Sequence, residues 1–353
     1  MEGLASKNRV TPSDIRLLTS DISPSHNVLT YKVQTMNKIT VLDGYTLNPG
    51  DLSWDELGAL GKLTVYDRTP KEAIIDRAVG AEILIVNKAS ITSEIIAQLP
   101  DLQYIGVTAT GFNNIDIEAA SKRNIAVCNV SGYGTAAVAQ HVFALLLAMT
   151  NQVSEHHQSV LQGQWAACPD FCYTLVPLTE LQGLTMGIYG FGRIGRQVAV
   201  LAQAFGMQVL ATHKHPERDA MAGVGFVDID DLFQKSDVVS LHAPLTSENK
   251  EIVNAALLRQ MKHTAFLINT SRGALINEKD LYSALEKGWL AGAALDVLSV
   301  EPPLEDHILI GAPHCIITPH NAWASRAARS RLLKTTVENL RSYLNGAPKN
   351  KVN

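Results

Sequence analysis

Three residues in the C-terminal half of the chain, Arg272, Glu301 and His320, have side chains that can together bind and protonate a small acid. A guanidinium can hold a carboxylate through two parallel hydrogen bonds and polarise a neighbouring carbonyl. An imidazole can donate a proton near neutral pH, and a carboxylate beside it favours its charged form. These residue types therefore suit reduction of a 2-keto acid, with His320 as the acid and Glu301 as its partner.

The surrounding sequence predicts where two of these residues lie. Arg272 follows the apolar run 265–268 and His320 follows the run 315–318, and both runs are typical of buried strands. Ligands bind at the carboxyl ends of the strands in open parallel sheets. Taken singly, each of the three residues also has a structural explanation, as a surface ion pair, a turn residue or a polar group at a strand end. The order of the three residues along the chain and their positions in the surrounding sequence together favour a catalytic role.

A glycine-rich motif precedes this set. The sequence GFGRIG at residues 190–195 lies between a predicted strand at 185–189 and a predicted helix at 197–204. In that setting glycines let the backbone approach a pyrophosphate, and the N–H groups at the helix start point toward it. The motif therefore predicts a dinucleotide site. Its predicted contacts are Gly190, Gly192, Arg193, Ile194 and Gly195.

The next predicted strand, residues 208–212, lacks the terminal acidic residue that binds the adenosine ribose in NAD sites. It is followed instead by His213, Lys214 and His215, with Arg218 close by. Where this carboxylate is absent, nothing repels the 2′-phosphate of NADP. Protonatable side chains nearby can then attract that phosphate. The sequence thus allows NADP as well as NAD, with His213 and Lys214 as contacts. The alternative is a solvated loop.

Composition limits the classes of partner. A chain of 353 residues with 46% apolar side chains can form about two domains, and a net charge of −4 without a basic run excludes an electrostatic surface for nucleic acid or membrane. The four cysteines lack the spacing of a zinc site, so we expect no metal. Residues 1–35 are polar, without a signal-like apolar core, and predict a loose N-terminal extension of a cytoplasmic protein.

Alternation of short apolar runs with helix-like segments predicts the fold class. The pattern extends from residue 36 to about 130 and again from 185 to 318, where six strands are expected. Strands separated by helices form parallel sheets, so the chain is predicted to be α/β, with two Rossmann-like, doubly wound parallel-sheet domains. An apolar helix predicted at 136–150 lies between them, buried under the second sheet or in an oligomer interface.

Four motifs in one order identify a resemblance. They are GFGRIG at 190–195, NTSRG at 269–273, ALDV at 294–297 leading to Glu301, and TPHNAW at 318–323. From residue 36 to about 344 the sequence resembles the D-isomer-specific 2-hydroxyacid dehydrogenases. Residues 42–50 and 169–172 are most similar to the glycerate dehydrogenase and hydroxypyruvate reductase branch of that family.

The resemblance implies a domain arrangement. A discontinuous substrate-binding domain would comprise residues 36–132 and 322–345, and an NAD(P)-binding domain residues 133–321, with 346–353 as a tail. The active site would lie in a cleft between the two domains, where closure excludes water. The resemblance also implies a homodimer, with the helix at 136–150 at its interface.

It further implies individual roles. Arg272 would bind the keto acid, His320 would be the acid/base and Glu301 its partner, while the backbone N–H groups of Thr110 and Gly111 would receive the substrate carboxylate. The remaining expected cofactor contacts are Pro244, Thr270, Ser271 and, near the nicotinamide carboxamide, Asp296. Gln140 departs from the family, where many members have glutamate. His242, beyond another strand, has either a structural role or a place in the nicotinamide pocket.

The predicted reaction is reduction of hydroxypyruvate or glyoxylate to D-glycerate or glycolate. Three alternatives stay open: a dehydrogenase for another 2-keto acid, a related enzyme of different chemistry, and a nucleotide-sensing binding protein similar to corepressors of the same family. The intact Arg/Glu/His set argues against loss of catalysis. Formate dehydrogenases have glutamine where Glu301 stands, and the chain ends too soon after the closing helix for a phosphoglycerate dehydrogenase with a regulatory domain.

Overall fold

The computed structural model describes residues 36–353, which form two compact units. The first comprises the described residues up to Tyr133 together with Arg329–Asn353, and the second comprises Gly134–Ala328. The predicted N-terminal extension, residues 1–35, lies outside the described residues.

The described strands and helices alternate along the chain. The strands are β1 Lys38–Val41, β2 Lys62–Val65, β3 Ile83–Val86, β4 Tyr104–Val107, β5 Ala126–Cys128, β6 Thr185–Tyr189, β7 Gln208–Thr212, β8 Val224–Phe226, β9 Val238–Leu241, β10 Phe266–Asn269, β11 Gly292–Leu295 and β12 Cys315–Ile317. The helices are α1 Asp55–Gly58, α2 Ile74–Ala78, α3 Ser93–Ala97, α4 Ile117–Lys122, α5 Thr135–Asn151, α6 Val153–Leu161, α7 Arg193–Ala204, α8 Ile229–Lys235, α9 Ala255–Leu258, α10 Glu278–Glu286 and α11 Arg326–Leu344.

The first unit is built on a five-stranded parallel sheet in the order β2-β1-β3-β4-β5. Every residue of β3 and β4 is buried, as expected for parallel strands covered on both faces. Leu84 and Val107 belong to a core that also contains Ile74 of α2, Ile95 of α3 and Ala120 of α4. Burial of this core positions the loops at the carboxyl ends of the strands.

The C-terminal residues of the chain also belong to the first unit. Lys351 forms an antiparallel bridge with Cys128 of β5, and the Val352 N–H donates to the Val127 carbonyl. On α11, the Arg329 guanidinium donates to both carboxylate oxygens of Asp51 at 2.6 and 2.7 Å. This bidentate pair fixes α11 to the loop after β1.

The second unit contains a seven-stranded parallel sheet in the order β12-β11-β10-β9-β6-β7-β8. Helices cover both faces: α5 and α7 pack on one, and α8, α9 and α10 on the other. From β6 the chain proceeds outward through β7 and β8, then returns to β9 on the other side. The carboxyl ends of β6 and β9 therefore form the switch point at which open parallel sheets bind ligands.

Two parallel sheets with helices confirm the predicted α/β fold class. Six strands are expected from the sequence in the second sheet, but the structure has seven. The additional strand is β8. Its sequence, Val-Gly-Phe, is short, has no residue classed as buried and contains a central glycine, so it gives no strand signal.

Helix α5 has one buried and one exposed face. Its buried side chains contact α7 and the sheet, as predicted for a helix under the second sheet. The exposed face has a residue at every fourth position: Ala136, Gln140, Ala144 and Ala148.

Within residues 36–353 no single helix is long and apolar enough to cross a membrane. Only α5 and α6 together pass that test, and they are separated by a 50° bend.

Candidate active site

His320 and Glu301 form a close pair. The His320 Nδ1 atom lies 2.6 Å from the Glu301 Oε2 atom, and both side chains are about one-third exposed, at 28% and 34%. The His320 backbone is left-handed, with φ of 50°. A non-glycine residue keeps such a conformation only where its surroundings hold it. Here its N–H donates to the carbonyls of Asp296 and Thr318.

Asp296 holds the segment that contains His320. Its carboxylate is buried and accepts the Thr318 hydroxyl at 2.6 Å, the Asn321 N–H at 2.9 Å and the Ala322 N–H at 3.0 Å. These three donors lie on both sides of His320. The carboxylate expected near the nicotinamide carboxamide is thus directed at the backbone of this segment.

A histidine of α5 joins this network. The His141 Nε2 atom lies 3.1 Å from the Thr318 hydroxyl and 3.6 Å from Asp296 Oδ1. Because the Thr318 hydroxyl donates to Asp296, it is free to accept from the His141 ring. Sequence reasoning missed His141, since it lies far before the catalytic motifs in a helix that is apolar on most sides.

Arg272 follows β10 and is exposed. Its Nη1 donates to the Ser271 carbonyl at 2.7 Å, and within residues 36–353 no carboxylate forms an ion pair with it. The fully buried Asn269 fixes the turn: its Nδ2 donates to the Arg272 carbonyl and its Oδ1 accepts the Ser271 N–H. A rigid turn therefore presents a guanidinium that can pair with an anion.

Gly273 lets the segments of Arg272 and Glu301 lie side by side. A Cβ atom added at Gly273 would lie 1.9 Å from the Leu298 carbonyl carbon and 2.3 Å from the Ser299 nitrogen. These are backbone atoms, so the loop before Glu301 would have to shift. Glycine is required at this position because the backbone at Gly273 lies too close to the backbone of Leu298 and Ser299 for any side chain.

The predicted dinucleotide motif forms the turn from β6 into α7. Gly190 has φ of 96°, and a Cβ there would lie 2.5 Å from the Ala243 nitrogen, so the turn packs directly on the segment after β9. Gly192 is the N-cap of α7, and a Cβ there would meet nothing within 4 Å. At Gly195 a Cβ would lie 2.3 Å from the Gly190 carbonyl oxygen. Arg193 and Ile194 begin the helix, whose first N–H groups lack helical partners and favour an anion.

A buried hydroxyl lies beyond β10. Thr270 is 9% exposed, and its Oγ1 atom is buried without a hydrogen-bond partner. Buried polar atoms are normally paired. Ser271 instead donates its hydroxyl to the Ala243 carbonyl at 2.6 Å, and Pro244 is exposed beside it. The open helix N-terminus and the unpaired Thr270 hydroxyl fit a bound nicotinamide dinucleotide.

An acidic residue from the loop after β7 contacts the side chain that follows the strand. His213 follows the strand, and its Nε2 atom lies 2.8 Å from Oδ2 of Asp219, which also accepts from the Arg218 guanidinium. Arg218, then His213, lower the pKa of Asp219 to about 2. Arg196 of α7 lies 3.6 Å from the other carboxylate oxygen. Lys214 is exposed and lies 3.9 Å from Glu248. The sequence expectation missed Asp219, which lies six residues beyond His213.

His242 follows β9 at the switch point, next to the glycine turn. Its Nε2 atom lies 2.8 Å from the hydroxyl of the buried Ser240. Burial lowers the pKa of His242 to about 3, so the ring is neutral at physiological pH. A neutral ring at this edge is compatible with a cationic nicotinamide.

Thr110 and Gly111 belong to the first unit, in the loop after β4. The Thr110 hydroxyl donates to the Val130 carbonyl at 3.1 Å, and its own carbonyl accepts from the Asn129 amide at 2.7 Å. The side chain and carbonyl of Thr110 therefore stabilise the loop. Arg272, Glu301 and His320 all belong to the second unit.

His156, His157 and the cysteines have ordinary structural environments. The His156 ring contacts the Gln152 carbonyl and accepts the Leu175 N–H, whereas His157 is exposed. All four cysteines are free thiols. In the part of the chain that the structure describes, no group of three histidine, cysteine or acidic side chains could hold a metal ion.

Comparison with known proteins identifies the family. The sequence profile described as "D-isomer specific 2-hydroxyacid dehydrogenase, NAD binding domain" matches residues 143–322, about half of the chain. Hydroxypyruvate reductase of Blautia hydrogenotrophica is 45% identical over 321 residues, which cover 90% of this chain and 99% of that protein. The chain belongs to the D-isomer specific 2-hydroxyacid dehydrogenase family.

Two further comparisons support the same placement. Glycerate dehydrogenase of Methylorubrum extorquens is 40% identical over 80% of this chain and 89% of its own length. A solved acyclic imino acid reductase, in complex with NADPH and D-Arg, superposes with a TM-score of 0.79 at 35% identity and covers 90% of this chain and 100% of its own. The family predicted from the motifs is thus confirmed, as is its similarity to the glycerate dehydrogenase branch.

Proposed function

We propose that this 2-hydroxyacid dehydrogenase reduces hydroxypyruvate and glyoxylate to D-glycerate and glycolate, and oxidises D-glycerate in reverse. The observation that supports this most directly is the 2.6 Å pair between His320 and Glu301 in the same unit as the exposed guanidinium of Arg272. Relatives named hydroxypyruvate reductase and glycerate dehydrogenase, at 45% and 40% identity, support the substrate class.

Each residue of the set has a proposed role. Arg272 binds the substrate carboxylate and polarises the carbonyl beside it. His320 donates a proton to the carbonyl oxygen during reduction and accepts one during oxidation. Glu301 stabilises the charged imidazole and orients the ring through Nδ1, which leaves Nε2 for the substrate. The nicotinamide cofactor, when bound, supplies or accepts the hydride.

The cofactor is proposed to bind along the glycine turn and β10. The N–H groups at the start of α7 receive the pyrophosphate, and the unpaired Thr270 hydroxyl and the neutral His242 face the nicotinamide half. The first unit, with Thr110 and Gly111, is proposed as the substrate-binding domain and the second as the cofactor-binding domain.

A reductase assay tests the function. The purified protein is given hydroxypyruvate, glyoxylate or pyruvate, each with NADH and with NADPH, while cofactor oxidation is followed by absorbance. Turnover of hydroxypyruvate or glyoxylate above that of pyruvate is the expected result. If the protein binds the dinucleotide but turns over none of the three acids, the proposed function is wrong and a nucleotide-sensing role is favoured.

We also propose that both NADH and NADPH are used, with Asp219 limiting the preference for NADPH. Its carboxylate pairs with Arg218 and His213 and repels a 2′-phosphate. Because its pKa is about 2, it is charged at any ordinary assay pH. Asp219→Asn is expected to raise the ratio of kcat/KM for NADPH to that for NADH roughly tenfold, since charge-assisted pairing becomes available to the phosphate.

The matched control for this prediction is Asp231→Asn, another aspartate in an ion pair, with Lys235 on α8. It removes one negative charge from the protein without touching the end of β7. The control should leave the cofactor ratio unchanged. An unchanged or lowered ratio in Asp219→Asn would contradict the proposed role of that carboxylate.

A homodimer in the cytoplasm is proposed from two surface features and the free thiols. Helix α5 exposes a face with three alanines and Gln140, and the following segment exposes a series of large apolar side chains. These are Val153, Val160, Leu161, Trp165, Phe171, Leu175 and Leu178. Extended apolar surface of this kind is typical of interfaces. Four unpaired cysteines agree with a reducing compartment.

Ala144→Glu tests the interface. Ala144 is exposed on α5, so a glutamate fits the isolated subunit, but two buried charges would face each other across a dimer. We expect the variant to elute as a monomer in size-exclusion chromatography with light scattering, while the unchanged protein elutes as a dimer. Ala97→Glu, an exposed alanine on α3, is the control and should stay dimeric. A dimeric Ala144→Glu would place the interface elsewhere.

A further inference from the structure

A second carboxylate contacts the loop that contains Glu301. Glu278 is the first residue of α10, and its side chain is only 16% exposed. Its Oε1 atom accepts the Ser299 N–H at 2.8 Å. Its Oε2 atom accepts the Ser299 hydroxyl at 2.6 Å and lies 3.2 Å from the His307 Nε2 atom. One carboxylate therefore satisfies three donors.

All three donors belong to residues 299–307, which we term the Glu301 loop. Ser299 and His307 are its two ends, so Glu278 holds it at both ends. The His307 Nδ1 atom accepts the Leu309 N–H at 3.3 Å, which leaves Nε2 protonated and able to donate to Glu278 even when the ring is neutral. The contact thus does not require a charged histidine.

The Glu301 loop is also fixed next to its catalytic partners. The Leu298 N–H donates to the Glu301 Oε1 atom at 3.2 Å, while Oε2 pairs with His320. Beneath it, Gly273 leaves no room for the Leu298 backbone to move toward Arg272. The position of the Glu301 carboxylate relative to the His320 ring therefore depends on the contacts that hold Ser299.

We propose that Glu278 is a positioning residue for the acid/base pair: it holds the Glu301 loop so that Glu301 stays bonded to His320. The inference rests on the proposed function, because it acts through that pair. Other ionisable groups near His320 are Asp296, which binds the neighbouring backbone, and His141, which contacts Asp296 and Thr318. Neither is in contact with the Glu301 loop in the bonds that the structure describes.

The test compares Glu278→Ala and Glu278→Gln with the unchanged enzyme, measuring kcat and KM for hydroxypyruvate reduction across pH. In Glu278→Ala the Glu301 loop loses its anchor, and kcat is expected to fall about tenfold at neutral pH. The dependence of kcat on pH should also change, because the charged imidazole loses part of its carboxylate partner. KM for the cofactor should not change. Glu278→Gln keeps an oxygen for the Ser299 N–H and should recover most of the rate.

Two reference variants make the result decisive. Glu286→Ala removes an exposed carboxylate from the other end of α10 and should have no effect. Glu301→Gln should change the pH profile in the same direction as Glu278→Ala, and by more. If Glu278→Ala lowers the melting temperature but leaves the pH profile unaltered, Glu278 is merely structural and the inference is wrong. If Glu301→Gln itself leaves the profile unaltered, the proposed function is what fails.

Discussion

Replacing Arg272 with alanine is expected to lower kcat/KM for hydroxypyruvate by about a thousandfold. The guanidinium is exposed beyond β10 and, within the described residues, has no carboxylate partner, so a substrate carboxylate is its natural partner. Two charge-assisted hydrogen bonds would be lost, and sites built to bond a polar group lose roughly 10³-fold or more when the partner is absent. Both KM and kcat should be affected, because Arg272 is also proposed to polarise the reacting carbonyl. Initial rates over a range of hydroxypyruvate concentrations give the two constants.

Two further variants test whether the loss of activity in Arg272→Ala arises from the lost guanidinium. Arg272→Lys retains the charge but not the planar fork and should have an intermediate activity. Arg259→Ala removes an exposed arginine at the end of α9 that stacks on Trp289 and belongs to no part of the candidate site, so it should be as active as the unchanged enzyme. The dissociation constant of the cofactor should stay the same in all three. Normal turnover by Arg272→Ala would exclude this residue from substrate binding.

The sequence predicted the fold wherever apolar runs were continuous. Strands such as β3, with the sequence Ile-Leu-Ile-Val, are buried throughout, as expected for parallel strands covered on both faces. The short β8 contains a glycine and forms only because β7 offers an unpaired edge, so local sequence could not predict it. The exposed face of α5 was not predicted either, because alanine is equally suited to a core and to an interface.

The sequence also predicted the chemical groups of the candidate site but not what holds them. Arg272, Glu301 and His320 lie in short motifs after predicted strands, where local order is informative. Glu278 and His141 lie 23 and 179 residues before Glu301 and His320, and only tertiary packing brings them close to the segments of those residues. Asp219 likewise reaches His213 through a loop turn. Supporting contacts of this kind form only in the folded structure. The residue patterns and spacings in the sequence therefore do not reveal them.

His320→Ala is expected to lower kcat for reduction by roughly 10²- to 10⁴-fold, the usual contribution of a general acid, and to leave the dissociation constant of the cofactor nearly unchanged. The proposed dinucleotide contacts, at the start of α7 and at Thr270, do not involve the imidazole. Rates from single-turnover kinetics, together with cofactor binding followed by fluorescence, separate the two effects. Loss of cofactor binding would contradict the proposed role of His320.

The left-handed backbone of His320 calls for a second substitution. With φ of 50°, alanine at this position has a conformational cost, and part of any lost activity would arise from movement of the segment held by Asp296. Asparagine tolerates this conformation but cannot act as an acid. His320→Asn should therefore be as inactive as His320→Ala while unfolding at a higher temperature. If His320→Asn retained a rate within about tenfold of the unchanged enzyme, proton transfer would have to come from another group.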